Sequence, residues 1–196
     1  MKVLLTCFEP FGGNATNVSS DVASTFSPYS IEGCEIVVAQ LPVSFLRVGE
    51  FLSQLIELHQ PDIILMLGQA SSREKISIER IAINLMDSKM GDNDGYCPNE
   101  QTIIQSSDNA LFSNLPLKTI VENWRNAGIE SAISNSAGLY VCNCSLYYAL
   151  SISQGMESNS KVGFIHLPQI RDIERKSMLL EYMHKAVAIA IKCIIS

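Results

Sequence analysis

Cys142 follows a Ser136-Ala137-Gly138 turn and stands at the head of a segment with helical patterning. His166 closes the apolar run Val162-Gly163-Phe164-Ile165. A thiol at a helix N-terminus feels the positive end of the backbone dipole, which lowers its pKa and favours thiolate. An imidazole beside it can take the thiol proton and later hand it to a leaving group, which is the chemistry of acyl transfer. Each residue also has a plainer reading. Free cysteine is commonly a small core residue, and a histidine at the end of an apolar strand can be a buried imidazole with its hydrogen bonds satisfied. His59 and His184 fall in amphipathic segments and read as surface residues.

Glu79 is an acid inside an apolar stretch, and an unpaired buried carboxylate is costly. Either Arg80 or another cation pairs with it structurally, or it orients a histidine as the third member of a catalytic group. Cys144 raises a rival possibility, a metal or redox pair with Cys142. A lone Cys-x-Cys is a poor zinc pattern, since structural sites want four ligands, and redox pairs are more often Cys-x-x-Cys. The loop Pro10-Phe11-Gly12-Gly13 lacks both the lysine and spacing of a P-loop and the third glycine of a dinucleotide fingerprint.

These residues need elements to hold them. Residues 2–7 form an apolar run that suits a buried strand, and residues 35–40 are β-branched and end before Pro42. Helical spacing runs from Ser44, a candidate N-cap, to His59, where Pro61 stops it. Residues 62–67 make another buried strand ending at Gly68, and residues 76–84 alternate as a strand does. The stretch 86–109 is polar and rich in Asp, Asn, Gly and Ser, a loop long enough to be functional or partly disordered. A helix over 117–127 ended by Gly128, a strand over 131–135, a helix over 143–153, a strand over 162–166 and a closing helix over 171–195 complete the chain. Strands alternating with helices imply a largely parallel sheet covered on both faces, in one domain. Sites in such sheets lie beyond the carboxyl ends of the strands. The segments 8–13, 68–70 and 136–143, together with His166, are expected there.

The whole chain has 196 residues, 47% hydrophobic and 17% charged, with a net charge of −6. That composition suits an ordinary globule. It offers no basic stripe for nucleic acid and no cationic patch for a membrane surface. No run reaches the roughly 18 apolar residues of a membrane span, and the short apolar start is broken at once by Glu9 and Pro10. The expectation is a cytoplasmic protein. Its six cysteines should then be reduced thiols, and the sequons at Asn14, Asn17 and Asn143 coincidental.

The motifs taken together resemble a known family, pyroglutamyl peptidase I. The likeness runs nearly end to end: Phe8-Glu9-Pro10-Phe11-Gly12-Gly13; Pro61-Asp62 leading to Gly68-Gln69-Ala70; Ile76 through Asn84; Asp92-Asn93-x-Gly95; Ser134 through Asn143 around the cysteine; and Phe164-Ile165-His166-x-Pro168. The resemblance implies a three-layer α/β/α sandwich with a central, largely parallel twisted sheet. It implies a cysteine peptidase that removes N-terminal pyroglutamate from peptides through a thioester, with Cys142 as nucleophile, His166 as base and Glu79 as orienting acid. Phe8, Phe11, Tyr140 and Val141 match the family's apolar lining, while Asn17 and Gln69 match positions near the substrate ring. No metal or organic cofactor is implied, and a homo-oligomer, dimer or tetramer, is. Several positions depart from the family pattern. Cys7 stands where Gly is usual, Ser71-Ser72 replaces Gly-Gly, Lys89 replaces Arg, Gly91 replaces Pro and Cys144 replaces His. Two other functions stay open: a noncatalytic relative that binds small ligands in the same pocket, and a thiol redox sensor using Cys142 and Cys144.

Overall fold

The computed structural model describes all residues except 27–30, 32, 156–159, 171 and 173. Its centre is a six-stranded sheet built from β1 (Lys2–Phe8), β2 (Glu35–Leu41), β3 (Ile63–Ala70), β4 (Ile76–Glu79), β7 (Ser131–Ser134) and β8 (Lys161–Pro168), in the order β2-β1-β3-β8-β4-β7. A small second sheet pairs β5 (Ile81–Ile83) with β6 (Ala110–Phe112). The helices are α1 (Val18–Ser24), α2 (Val48–His59), α3 (Leu117–Asn126), α4 (Val141–Gly155) and α5 (Lys176–Ile195).

β1, β2, β3 and β8 are mutually parallel, with α1 between β1 and β2 and α2 between β2 and β3. β4 departs from the rule. Only residues 71–75 join it to β3, too few for a crossover helix, and it lies antiparallel to β8 and parallel to β7. The expected parallel sheet is therefore parallel in its larger part and reversed at one edge.

Both faces of the sheet are covered. Val22, Trp124, Val187 and Ile191 belong to one core with Leu5, Leu65 and Ile165, so α1, α3 and α5 form one outer layer. Leu52, Ile56, Leu146 and Leu150 belong to the other with Leu4, Ile64 and Phe164, so α2 and α4 form the second. Alternate residues of β1 face opposite layers, as period-two side chains must. Trp124 is fully buried and its indole donates to Ala186 O at 2.7 Å, tying α3 to α5.

Some elements differ from expectation. The alternating stretch 76–84 is two strands: Arg80 N bonds Ser134 O and Ser113 N bonds Arg80 O, so the chain changes sheets at Arg80. Helix α1 was not anticipated, because its Val-Ser-Ser-Asp-Val-Ala-Ser sequence has few apolar residues to mark a face; Asn17 caps it by accepting from Ser19 N. α2 starts at Val48, and Ser44 instead stabilises the turn before it by accepting from Arg47 N. α4 begins two residues earlier than its pattern suggested. The expected start of the last helix at Arg171 lies outside the described residues.

The long 86–109 segment is stitched down rather than loose. Asn84 exchanges two hydrogen bonds with Ile104, and the buried Asp92 accepts from Phe45 N, Asp94 N and Tyr96 N. Glu9 Oε1 accepts from both Val43 N and Asn93 Nδ2, joining the loop to the end of β2. Among the described residues no helix is long and apolar enough to cross a membrane.

Candidate active site

Three strands set the geometry. In the β3–β8 register Gly68 lies opposite His166, and in the β4–β8 register Ser77 does. His166 is almost fully buried, and its Nδ1 lies 2.7 Å from Glu79 Oε1. A carboxylate there accepts from Nδ1–H and so leaves Nε2 as the basic nitrogen. The His166 ring also packs on Phe164, with centroids 4.6 Å apart.

Glu79 is fully buried, and its cation is not the neighbouring Arg80. Adjacent strand residues point to opposite faces, and Arg80 is exposed. Arg73 fills the role: its Nη1 lies 2.6 Å from Glu79 Oε1 and also contacts Ser77 Oγ, while Nη2 donates to Ser136 O at 2.9 Å. The cation that the sequence left open beside Arg80 is thus one that the 71–75 connection brings back to β4.

Cys142 is the second residue of α4. It does not leave the carboxyl end of a strand parallel to β8, since β7 runs the other way; the 135–140 connection delivers it. Its sulfur comes so close to the backbone of β3 that a Cβ added at Gly68 would lie 3.1 Å from Sγ. Asn143 anchors the start of the helix: Oδ1 accepts from Ile83 N, and Nδ2 donates to Ile83 O and Leu85 O. Asn143 and Asn17 are both buried, so neither sequon is a surface acceptor.

Burial pushes the Cys142 thiol up to about 12, and the Glu79 charge adds to it; Arg73 and the residue's own N–H oppose. The expected helix-terminus effect is thus outweighed by desolvation. Burial also lowers the His166 pKa, although its bond to Glu79 works the other way. Both shifts favour the uncharged forms of the two side chains.

Phe8, Phe11, Asn17, Gln69, Tyr140, Val141, Cys142 and His166 line one pocket of about 390 Å³, with Val43, Ser71, Ser72, Met90 and Ala137 completing it. Glu79 is not in the wall; it stands behind His166. Tyr140 packs edge-on against Phe45 and tilted against Phe11, and its hydroxyl donates to Gly91 O at 3.0 Å. That bond holds the segment carrying Met90 against the pocket. The two amides are placed by the backbone: Gln69 Oε1 accepts from Val18 N, and Asn17 Nδ2 donates to Glu9 O. Gln69 Nε2 makes a long contact of 3.5 Å to Ser71 Oγ, and the side chain lines the pocket.

Two departures from the family pattern lie away from this pocket. Cys7 faces the α1 and α5 layer, where its thiol is directed at Ala39 O and burial pushes its pKa up to about 11. Cys144 is fully buried against Phe45 O and Met86 Sδ. Residues two apart on a helix do not share a face, so Cys142 and Cys144 are not arranged as a pair. Among the described residues no cluster of His, Cys, Asp or Glu could hold a metal ion.

Known proteins share both sequence and fold. The pyroglutamyl peptidase family model matches residues 1–196. The pyrrolidone-carboxylate peptidase of Thermococcus kodakarensis is 44% identical over 99% of this chain and 96% of its own. That of Thermosipho africanus is 42% identical over 100% and 97%. A mutant pyrrolidone carboxyl peptidase from the hyperthermophile Pyrococcus furiosus superposes with a TM-score of 0.93 at 36% identity, covering 99% of this chain and 98% of that one. The Thermococcus litoralis enzyme gives 0.92 at 34% identity, covering 98% and 92%. With a match along its whole length and relatives above 40% identity, this chain belongs to the pyroglutamyl peptidase family.

Proposed function

We propose that this protein is a cysteine peptidase that removes N-terminal pyroglutamate from peptides, with Cys142 as nucleophile, His166 as general base and acid, and Glu79 as the group that orients His166. One observation carries the reading. Cys142 and His166 line the same apolar pocket, and the imidazole is held from behind by a buried carboxylate at 2.7 Å.

The pyroglutamyl ring is a small lactam with apolar methylenes, one N–H and one C=O. Phe8, Phe11, Tyr140 and Val141 suit the methylenes, and the amides of Gln69 and Asn17 suit the polar edge. In the reaction His166 Nε2 takes the Cys142 proton as sulfur attacks the pyroglutamyl carbonyl. The oxyanion is met by backbone N–H groups at the start of α4. Collapse breaks the C–N bond, and His166 gives its proton to the leaving amine. Water deprotonated by the same nitrogen then cleaves the thioester, releasing pyroglutamate and restoring the thiol. The first transfer starts from a thiol and a neutral imidazole, the forms that burial of the two side chains favours. The reading includes a single catalytic domain in a cytoplasmic, reducing setting, and a homo-oligomer that sedimentation velocity would detect.

The test is release of a fluorogenic amine from a pyroglutamyl amide by reduced wild type and by Cys142→Ala. Turnover by the wild type that disappears in the folded variant supports the reading. Absence of turnover from folded, reduced wild type defeats it and favours a binding-only relative.

A further inference from the structure

The ion pair behind His166 is lopsided. Arg73 and His166 share a single oxygen, Glu79 Oε1, at 2.6 and 2.7 Å, while Glu79 Oε2 is buried with no hydrogen-bond partner among the described residues. The same guanidinium spans to Ser136 O, in the connection that delivers Cys142. Arg73 thus links three parts of the site: β4 through Ser77 and Glu79, β8 through the shared oxygen, and the approach to α4.

We propose that Arg73 is a positioning residue of the catalytic unit: its planar fork fixes the Glu79 carboxylate against His166 and ties that carboxylate to the segment carrying Cys142. The inference rests on the peptidase reading for its activity readout, but not for its chemical one. A guanidinium suits the task because it can bond two acceptors in different directions while keeping its charge. Its charge matters as well as its shape. An unpaired carboxylate behind His166 would favour the imidazolium, which removes the base.

The charged groups acting on His166 are Glu79 from β4 and Arg73 from the connection after β3, and Cys142 from α4 lines the same pocket. Tyr140 also faces Cys142, but burial pushes its phenol up to about 12, so it stays neutral through the working range. Arg73 lowers both the His166 and the Cys142 pKa values. Removing its charge favours imidazolium over imidazole and thiol over thiolate, so both limbs of a bell-shaped profile move to higher pH. For a cation sharing a carboxylate with the imidazole, yet about a quarter exposed, the expected movement is about one pH unit.

The experiment compares wild type, Arg73→Met, Arg73→Lys and Glu79→Gln in two measurements against pH. One is kcat/KM on a pyroglutamyl amide, and the other is the rate of Cys142 alkylation by iodoacetamide, followed at that residue by peptide mass. Arg73→Met should move both limbs of the kcat/KM profile and the rise of the alkylation rate up by about one unit, and Glu79→Gln should move them down. Arg73→Lys should leave the limbs in place but lower kcat, because an ammonium cannot bridge Glu79 and Ser136 together. Lower activity in Arg73→Met with limbs unmoved would mean a merely structural residue and would overturn the proposal. If Arg73→Met does not fold, Arg73→Lys decides, and a wild-type kcat from it overturns the bridging role. Wild type that fails to turn over would sink the peptidase reading alone, since the alkylation profile still reports on Arg73.

Discussion

Gly68 is a position where a single methyl group should disturb the candidate site directly. It sits in β3 opposite His166, and an ideal Cβ built there lies 2.6 Å from the Phe164 ring and 3.1 Å from Cys142 Sγ. Non-bonded carbons settle near ~3.5–4.0 Å, so the ring must retreat by roughly 1 Å. Phe164 is fully buried and has nowhere open to go. Gly68 is not among the residues with positive φ, so alanine adds no backbone strain and the whole cost is steric. Overpacking of this kind costs about 1–3 kcal/mol, with the melting temperature falling about 2–4 °C for each kcal/mol in a chain of this size. Activity should suffer more than stability. Phe164 packs on the His166 ring, and the added methyl touches the sulfur itself. A displacement of about 1 Å in a reacting group costs on the order of 100-fold in kcat/KM. The assay is fluorogenic pyroglutamyl amide hydrolysis with a thermal melt on the same preparations of wild type and Gly68→Ala. Adding Phe164→Leu to Gly68→Ala should recover part of the melting temperature, because it removes the atoms that clash. A Gly68→Ala variant with kcat/KM within about threefold of wild type would refute the steric argument and the placement of Cys142 against β3.

Tyr140→Phe keeps the aromatic wall but removes the hydroxyl bond to Gly91 O; steady-state kinetics should show KM rising about fivefold, from the loss of about 1 kcal/mol, with kcat nearly unchanged. Equal losses in kcat and kcat/KM would instead place the hydroxyl in the chemical step. Cys7 and Cys144 ionise in the unfolded chain near their ordinary 9.0 but in the folded chain only near about 11 and 12. The unfolded state therefore binds fewer protons above pH 9, and stability falls as pH rises through that range. Denaturant unfolding at pH 10 should show a loss of about 1 kcal/mol for each of these thiols relative to pH 8, and Cys144→Ala should remove its share of that loss.

What could be read along the chain, and what could not, divides according to physical range. Cys142, His166 and Glu79 were identifiable because each is a reactive or charged residue in a local pattern that does not need it, and the pocket residues came with the family motifs around them. Partnership was harder. Glu79 demanded a cation, and the chain offers Arg80 one residue away and Arg73 six residues away. Strand alternation alone excludes Arg80, but choosing Arg73 requires knowing that residues 71–75 turn tightly enough to return β4 beside β8. Charge regulation was harder still. The helix terminus at Cys142 argued for a ready thiolate, and nothing local reveals how close β3 comes to the sulfur or that desolvation raises the thiol pKa instead. Gly68 governs the last of these. Its lack of a side chain lets Cys142, at the start of α4, come close against β3, and on the proposed reading that approach makes the thiol depend on His166 for its ionisation and the Glu79–Arg73 pair matter to the rate.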